Sequence, residues 1–262
     1  GMSVDAWCDE KVTDLARTIA KLGAENIGAF IAEPILASGG VIVPAPGYHK
    51  RTFDLCREND ILYISDEVVT GFGRLGYWFA SSDVFGIEPD MITCAKGLTS
   101  GYLPLGACII SDRVMEQMSN LGSPSSYANG YTYSGHPVSC AAALKNIEII
   151  ENEGLLQHVR KITPHFQDRL RALKKFPLVG DARGMGLLGC IECRAENLEA
   201  ERSLGERIDV ACEEMGLLVR PLINMAVFSP PLIITHAQID EMFDILEKAL
   251  EIVTADLARE AA

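Results

Sequence analysis

No stretch of this sequence approaches the roughly 18 consecutive apolar residues that a membrane-crossing helix needs, so no membrane-spanning segment is expected. The first residues, Gly1-Met-Ser-Val-Asp5, have neither the charged start nor the apolar body of a signal peptide, and the cytoplasm is the expected setting. Basic charge is also short. Lys and Arg number 23 against 36 Asp and Glu, a net charge of −13, and no basic face is discernible, which argues against a nucleic-acid partner. Clustered metal ligands are missing too. The 8 cysteines are scattered, and Cys94, Cys108 and Cys140 lie in apolar company, where a free thiol behaves as a small hydrophobe. Cys190-Ile-Glu-Cys193 spells a CxxC, but in a strand-like run that sends positions three apart to opposite faces. Gly184 to Gly189 spells GxGxxG, yet a strand follows it where a dinucleotide fingerprint needs a helix, so it reads as a turn. There is no internal repeat and no low-complexity tract.

What is present is a chain of 262 residues, 48% hydrophobic, able to bury the core of one large or two modest domains. Three short apolar runs each end abruptly in charge. Ile27–Ala32 ends in Glu33-Pro34, Ile61–Ile64 in Ser65-Asp66-Glu67, and Met91–Ala95 in Lys96-Gly97. Buried parallel strands read this way, and ligands of open α/β sheets sit outside the carboxyl ends of the strands. An amine facing carboxylates across such an edge suits pyridoxal 5'-phosphate (PLP), whose aldehyde condenses with a lysine and whose ring nitrogen is held protonated by a carboxylate.

Along the chain, helical spacing predicts a helix over Val4–Leu22 closed by Gly23, and helical composition predicts another over Tyr48–Glu58. Residues 71–90 are rich in glycine and aromatics without a clean period, as the wall of a site or a dimer contact would be. Leu105–Ile110 reads as a strand, 119–130 as a polar loop and Pro137–Glu151 as a helix. A helix over Leu155–Phe176 contains Pro164, which is expected to kink or break it. Phe176-Pro177 is the expected domain boundary. Strands are expected at Leu187–Ile191, Leu217–Val219 and Ala226–Phe228, and helices at Ser203–Met215 and Thr235–Ala258, the last with Thr235 and Gln238 as a capping box.

Several motifs, in order, give this chain a family likeness. Glu33-Pro34, the run from Gly39 to Tyr48, Asp66-Glu67-Val68, Thr70-Gly-Phe-Gly-Arg74, Ala95-Lys96-Gly97, Pro104-Leu-Gly-Ala107 and Tyr131-Thr-Tyr-Ser-Gly-His-Pro137 together resemble the class III, PLP-dependent aminotransferases. The resemblance implies an α/β fold. Residues 1–176 would be the second half of a fold-type I large domain, with a mostly parallel sheet and helices, and 177–262 a smaller carboxyl-terminal α/β domain.

The resemblance also implies roles. Lys96 would form the Schiff base and move the proton, with its amine kept neutral by burial beside apolar residues; alone it could be a solvated lysine. Asp66 would hold the pyridine nitrogen, or else cap a helix. Val68 would cover one ring face, or simply fill core. Thr132 would reach the cofactor phosphate of a neighbouring subunit, implying a homodimer with shared sites, or be a turn hydroxyl. Glu33 would stand near the substrate, or only end a strand. Arg220 would bind a substrate carboxylate, or make a surface ion pair.

The family's usual first half, with its phosphate-binding loop and stacking aromatic, has no counterpart here. The implied function is amino transfer from an omega-amino acid or amine to a keto acid such as pyruvate, by a chain that reads as truncated. A silent fragment or dimerisation module, or a semialdehyde aminomutase or racemase on the same fold, are the alternatives.

Overall fold

Strands β1 (Ala29–Ala32), β2 (Leu62–Asp66) and β3 (Met91–Cys94) run parallel in a four-stranded sheet, and β4 (Ala107–Ile110) closes it antiparallel to β3, in the order β1-β2-β3-β4. The computed structural model describes residues 2–119, 129–195 and 198–260. It divides into two compact units, the first made of Gly1–Ile35, Pro44–Gly73 and Tyr77–Glu153. Helix α1 (Val4–Leu22) starts on Ser3, whose hydroxyl accepts from Ala6 N at 3.2 Å. It ends at Gly23, whose φ of 80° suits a residue without Cβ and whose N–H donates to Ile19 O at 2.9 Å. Helix α2 (Tyr48–Glu58) links β1 to β2 and packs with α1 over Tyr63, Ile61 and Cys56.

Because side chains alternate along a strand, Tyr63 and Ser65 face this small core, whereas Leu62, Ile64 and Asp66 point to the other side of the sheet. That other side is open: Ile31, paired with Ile64, is 58% exposed. Helices α3 (Ala80–Asp83), α4 (Asp112–Ser119) and α5 (Pro137–Asn152) complete the unit, the last with Pro137 in its first turn.

The second unit comprises Leu36–Val43, Arg74–Gly76 and Gly154–Ala262. Its sheet is wholly antiparallel, order β5-β6-β8-β7, from β5 (Val179–Met185), β6 (Leu188–Cys193), β7 (Arg220–Leu222) and β8 (Met225–Phe228). Helices α6 (Leu155–Ala172), α7 (Leu198–Glu214) and α8 (His236–Glu260) pack on it around one core that includes Phe166, Leu170, Ile191, Ile208, Phe243 and Leu250. The two inserted segments are tied in by guanidinium groups. Arg183 Nε donates to Gly40 O at 2.9 Å, and Arg74 Nη1 donates to Leu187 O at 3.0 Å. Burial lowers the Arg74 pKa to about 10, which still leaves it a cation at neutral pH.

Several expectations need correction. The long segment of the second unit starts at Gly154, not at 177, because α6 buries Val159, Ile162, Phe166 and Leu170 in the second core. Pro164 does not break α6. A proline inside a helix costs about 3 kcal/mol through a lost hydrogen bond and a ring clash, and the flanking Ile162 and Phe166, both 0% exposed, hold the turn in place. The strand expected at Leu217–Val219 begins at Arg220, since Met215, Gly216 and Leu217 still donate to carbonyls of the last turn of α7. Strand β5 was not expected at all: Gly180, Asp181, Arg183 and Gly184 mask its alternation. The GxGxxG run is the β5–β6 hairpin, with Gly186 at φ 61° in its turn. The capping box forms, with Thr235 N donating to Gln238 Oε1 at 3.0 Å and Gln238 N to Thr235 Oγ1 at 3.3 Å. Most of the polar loop expected at 119–130 lies outside the described residues.

Candidate active site

Register places the three charged strand ends on one edge. Ala32 pairs with Ser65 and Asp66 with Thr93, so Glu33, Asp66 and Lys96 all stand at the carboxyl end of the parallel strands, where α/β sheets bind ligands. Asp66 Oδ1 accepts from Val68 N at 3.1 Å, a side-chain turn that fixes the carboxylate. No helix follows, so the capping role considered for Asp66 is not realised. Val68 is half-buried beside it. Glu33 precedes Pro34, whose carbonyl is gripped by His49 Nε2 at 2.9 Å. A carbonyl only accepts, so Nε2 carries the hydrogen, and neutral His49 receives the Tyr63 hydroxyl at Nδ1, 3.0 Å away. Burial keeps the His49 pKa below the ordinary histidine range, against the raising pull of the Pro34 carbonyl and the charge of Glu67.

Lys96 departs from expectation. Its side chain is exposed, not buried among apolar residues, because β3 ends at Cys94 and the chain turns outward into a short 3-10 turn, Lys96–Leu98. Its φ of 39° is left-handed, a conformation that costs a non-glycine residue free energy and persists only where surroundings impose it. Gly97 is part of that imposition: a Cβ there would lie 2.9 Å from Phe72 Cβ, itself at φ 57°. Phe72 is held in turn by edge contacts to Trp78 and Phe79, with ring centroids 6.2 and 5.5 Å away.

Glu67 anchors this assembly. Fully buried, it accepts from Thr70 Oγ1 at 2.6 Å, Ala80 N at 2.9 Å, Ser81 N at 2.7 Å and the Ser81 hydroxyl. The end of β2, the Thr70–Gly73 turn and the start of α3 are thereby one piece. Sequence reasoning quoted Glu67 within a motif and gave it no task; donors at positions 80 and 81 leave no local signal.

Thr132 lies in the same unit on an exposed turn, where Tyr131 N donates to Ser134 Oγ at 2.8 Å. Arg220 belongs to the second unit. It opens β7, is exposed, and lines a cavity of about 530 Å³ with Phe228, Pro230, Ile234, Gln238 and Met242.

A profile of the family described as "Aminotransferase class-III" matches residues 3–250. The chain belongs to the class-III aminotransferases. Curated relatives include a putrescine–pyruvate aminotransferase of Pseudomonas aeruginosa, 40% identical over 255 residues that make up 95% of this chain and 55% of the relative. Another is gamma aminobutyrate transaminase 1, mitochondrial, of Solanum lycopersicum, 39% identical over 95% of this chain and 50% of its own length. Among solved structures, an omega-transferase of Vibrio fluvialis superposes with a TM-score of 0.92 at 38% identity, over 99% of this chain and 63% of that one. An omega-aminotransferase of Paracoccus denitrificans gives 0.92 at 38%, over 98% and 58%. The chain therefore spans about half the length of the curated relatives it matches, and its α/β fold is that of fold-type I transaminases.

Class-III aminotransferases depend on PLP, and a Vibrio fluvialis member has been solved in a PMP-bound form. The strand edge carries the kinds of group that such a cofactor needs, a carboxylate and an amine. Asp66 ends β2, Lys96 follows the neighbouring β3, and the Lys96 side chain makes no ion pair among the described residues.

Proposed function

We propose that this chain carries the lysine and acid of a PLP-dependent aminotransferase that moves an amino group from an omega-amino acid or amine to a keto acid such as pyruvate. The observation that carries the reading is the parallel register that puts Asp66 and Lys96 on one carboxyl edge. When bound, the cofactor supplies an electron sink for the bonding pair released at the amine-bearing carbon.

The chain's own residues do the rest. The Asp66 carboxylate keeps a proton on the ring nitrogen, Val68 packs against one ring face, and Lys96 Nζ takes and returns the proton at the substrate carbon. Exposure of Lys96 leaves its amine free to swing between these tasks. Glu33 flanks the substrate side of the edge. Arg220 offers a planar fork to a substrate carboxylate, a geometry lysine cannot copy. Thr132, on an exposed turn, is suited to reach a second copy's site, so the working form is a homodimer with shared sites. The cytoplasm is the setting that we keep.

The named relatives favour this substrate range, since one pairs putrescine with pyruvate and another is a gamma aminobutyrate transaminase. A catalytically silent chain is the second reading, favoured by a length about half that of those relatives. Borohydride reduction in the presence of excess PLP, followed by peptide mapping, separates the two. Label on Lys96 supports the proposal. Label on another lysine refutes the assignment of Lys96, and no label at all supports the silent chain.

A further inference from the structure

Two buried side-chain polar atoms among the described residues make no hydrogen bond: Thr93 Oγ1 and Ser111 Oγ. Ser111 follows β4 beside Asp90, at the amino end of the parallel strands and away from the charged edge. Thr93 is different. It is the register partner of Asp66, and partners in a parallel ladder project to the same face of the sheet. It also precedes Lys96 on the same strand end.

Asp66 in turn has unused capacity. An ionised carboxylate can accept about four hydrogen bonds, and among the described residues this one accepts only from Val68 N, at Oδ1. A donor without an acceptor thus lies next to an acceptor with room to spare. A buried hydroxyl without a partner destabilises the fold it sits in, so its retention needs a return elsewhere.

We propose that Thr93 is a positioning residue for Asp66. When the Asp66 carboxylate engages the protonated ring nitrogen of PLP, the Thr93 hydroxyl donates to the oxygen that Val68 leaves free. Two donors then hold the carboxylate anionic and fix its plane toward the ring nitrogen. The inference rests on the cofactor reading above and adds to it a residue whose effect has opposite signs in the free and loaded protein.

Thr93→Val keeps the shape and removes the hydroxyl, and Thr93→Ser keeps the hydroxyl. Two measurements on the purified chain decide the matter: thermal unfolding without cofactor, and the PLP dissociation constant by absorbance titration into the millimolar range. Thr93→Val is expected to melt about 2 °C or more above the unaltered protein, because a methyl replaces an unpaired polar group. It should bind PLP roughly tenfold more weakly, while Thr93→Ser stays close to the unaltered protein in both measurements. In an Asp66→Asn background the Thr93→Val effect on binding should disappear.

A lower melting temperature for Thr93→Val would mean that the hydroxyl is already bonded in the free protein, and overturns the proposal. Unchanged affinity overturns it too, as does a binding loss that persists without Asp66. Should the unaltered chain not bind PLP at all, the cofactor reading falls, and Thr93 is judged on the melting comparison alone.

Discussion

The two sheets of this protein are built to opposite ends. In the second unit Ile191, Cys193, Ala226 and Phe228 are almost fully buried and feed one continuous core with α6, α7 and α8. In the first, one face of the sheet meets a small cluster around Tyr63, while Ile31 on the other face is 58% exposed. The first unit also keeps a fully buried carboxylate at Glu67 and two unpaired hydroxyls, at Thr93 and Ser111, whereas left-handed backbone is shared, at Phe72, Lys96 and Ser100 in the first unit and at Val41 and Ile223 in the second. The unpaired hydroxyls and the left-handed residues each lower stability. Among the described residues, buried polar groups without a partner are thus found where packing is thinnest.

Breaking the dense core should have the largest effect. Phe166, 0% exposed and 5.5 Å from the Phe243 ring, should cost about 3–5 kcal/mol on truncation to alanine, whereas Ile31→Ala should stay within about 0.5 kcal/mol. Urea unfolding of both variants measures the contrast, and equal losses would erase it.

Next comes the first unit's polar anchor. Glu67→Gln puts an amide N–H₂ among donors that need an acceptor, so about 2–3 kcal/mol should be lost despite the unchanged shape. Calorimetry that found this variant as stable as the parent would show that the four-donor cage does not hold the unit together.

Arg220 probes the second unit's share in function. Arg220→Ala should weaken a keto acid such as pyruvate by about 1.5 kcal/mol, roughly tenfold, and leave a carboxylate-free amine nearly unaffected in its own half-reaction. Equal weakening of both would make Arg220 structural.

His49 gives the subtlest test. Its folded pKa is depressed by burial, so the unfolded chain binds its proton first as pH falls. The stability it contributes is complete above the unfolded value of about 6.5 and is lost as pH drops from there through the folded value. Melting temperatures of the unaltered protein and His49→Gln, followed from pH 7.5 to 5, should converge toward the acid end. Parallel curves would contradict a buried neutral imidazole.

Local pattern was enough for much of the fold. Helical periodicity and a terminal glycine set α1 at Val4–Leu22, helical composition set α2 at Tyr48–Glu58, and three apolar runs ending in charge foretold the parallel edge with Glu33, Asp66 and Lys96. Those signals are short-range. Residues three, four or two apart report which face a helix or strand buries, and the charge that ends a run reports the sheet edge.

What depended on distant residues was not legible. Phe166 and Phe243 decide that α6 belongs to the second unit and carries Pro164 unbroken. Donors at Ala80 and Ser81 decide that Glu67 is an anchor, and Phe72 against Gly97 turns Lys96 outward into solvent. The Asp66–Thr93 register decides which hydroxyl stands beside the acid. Burial and hydrogen-bond satisfaction are properties of what a side chain meets in space, and a linear sequence does not state that until the strands have paired.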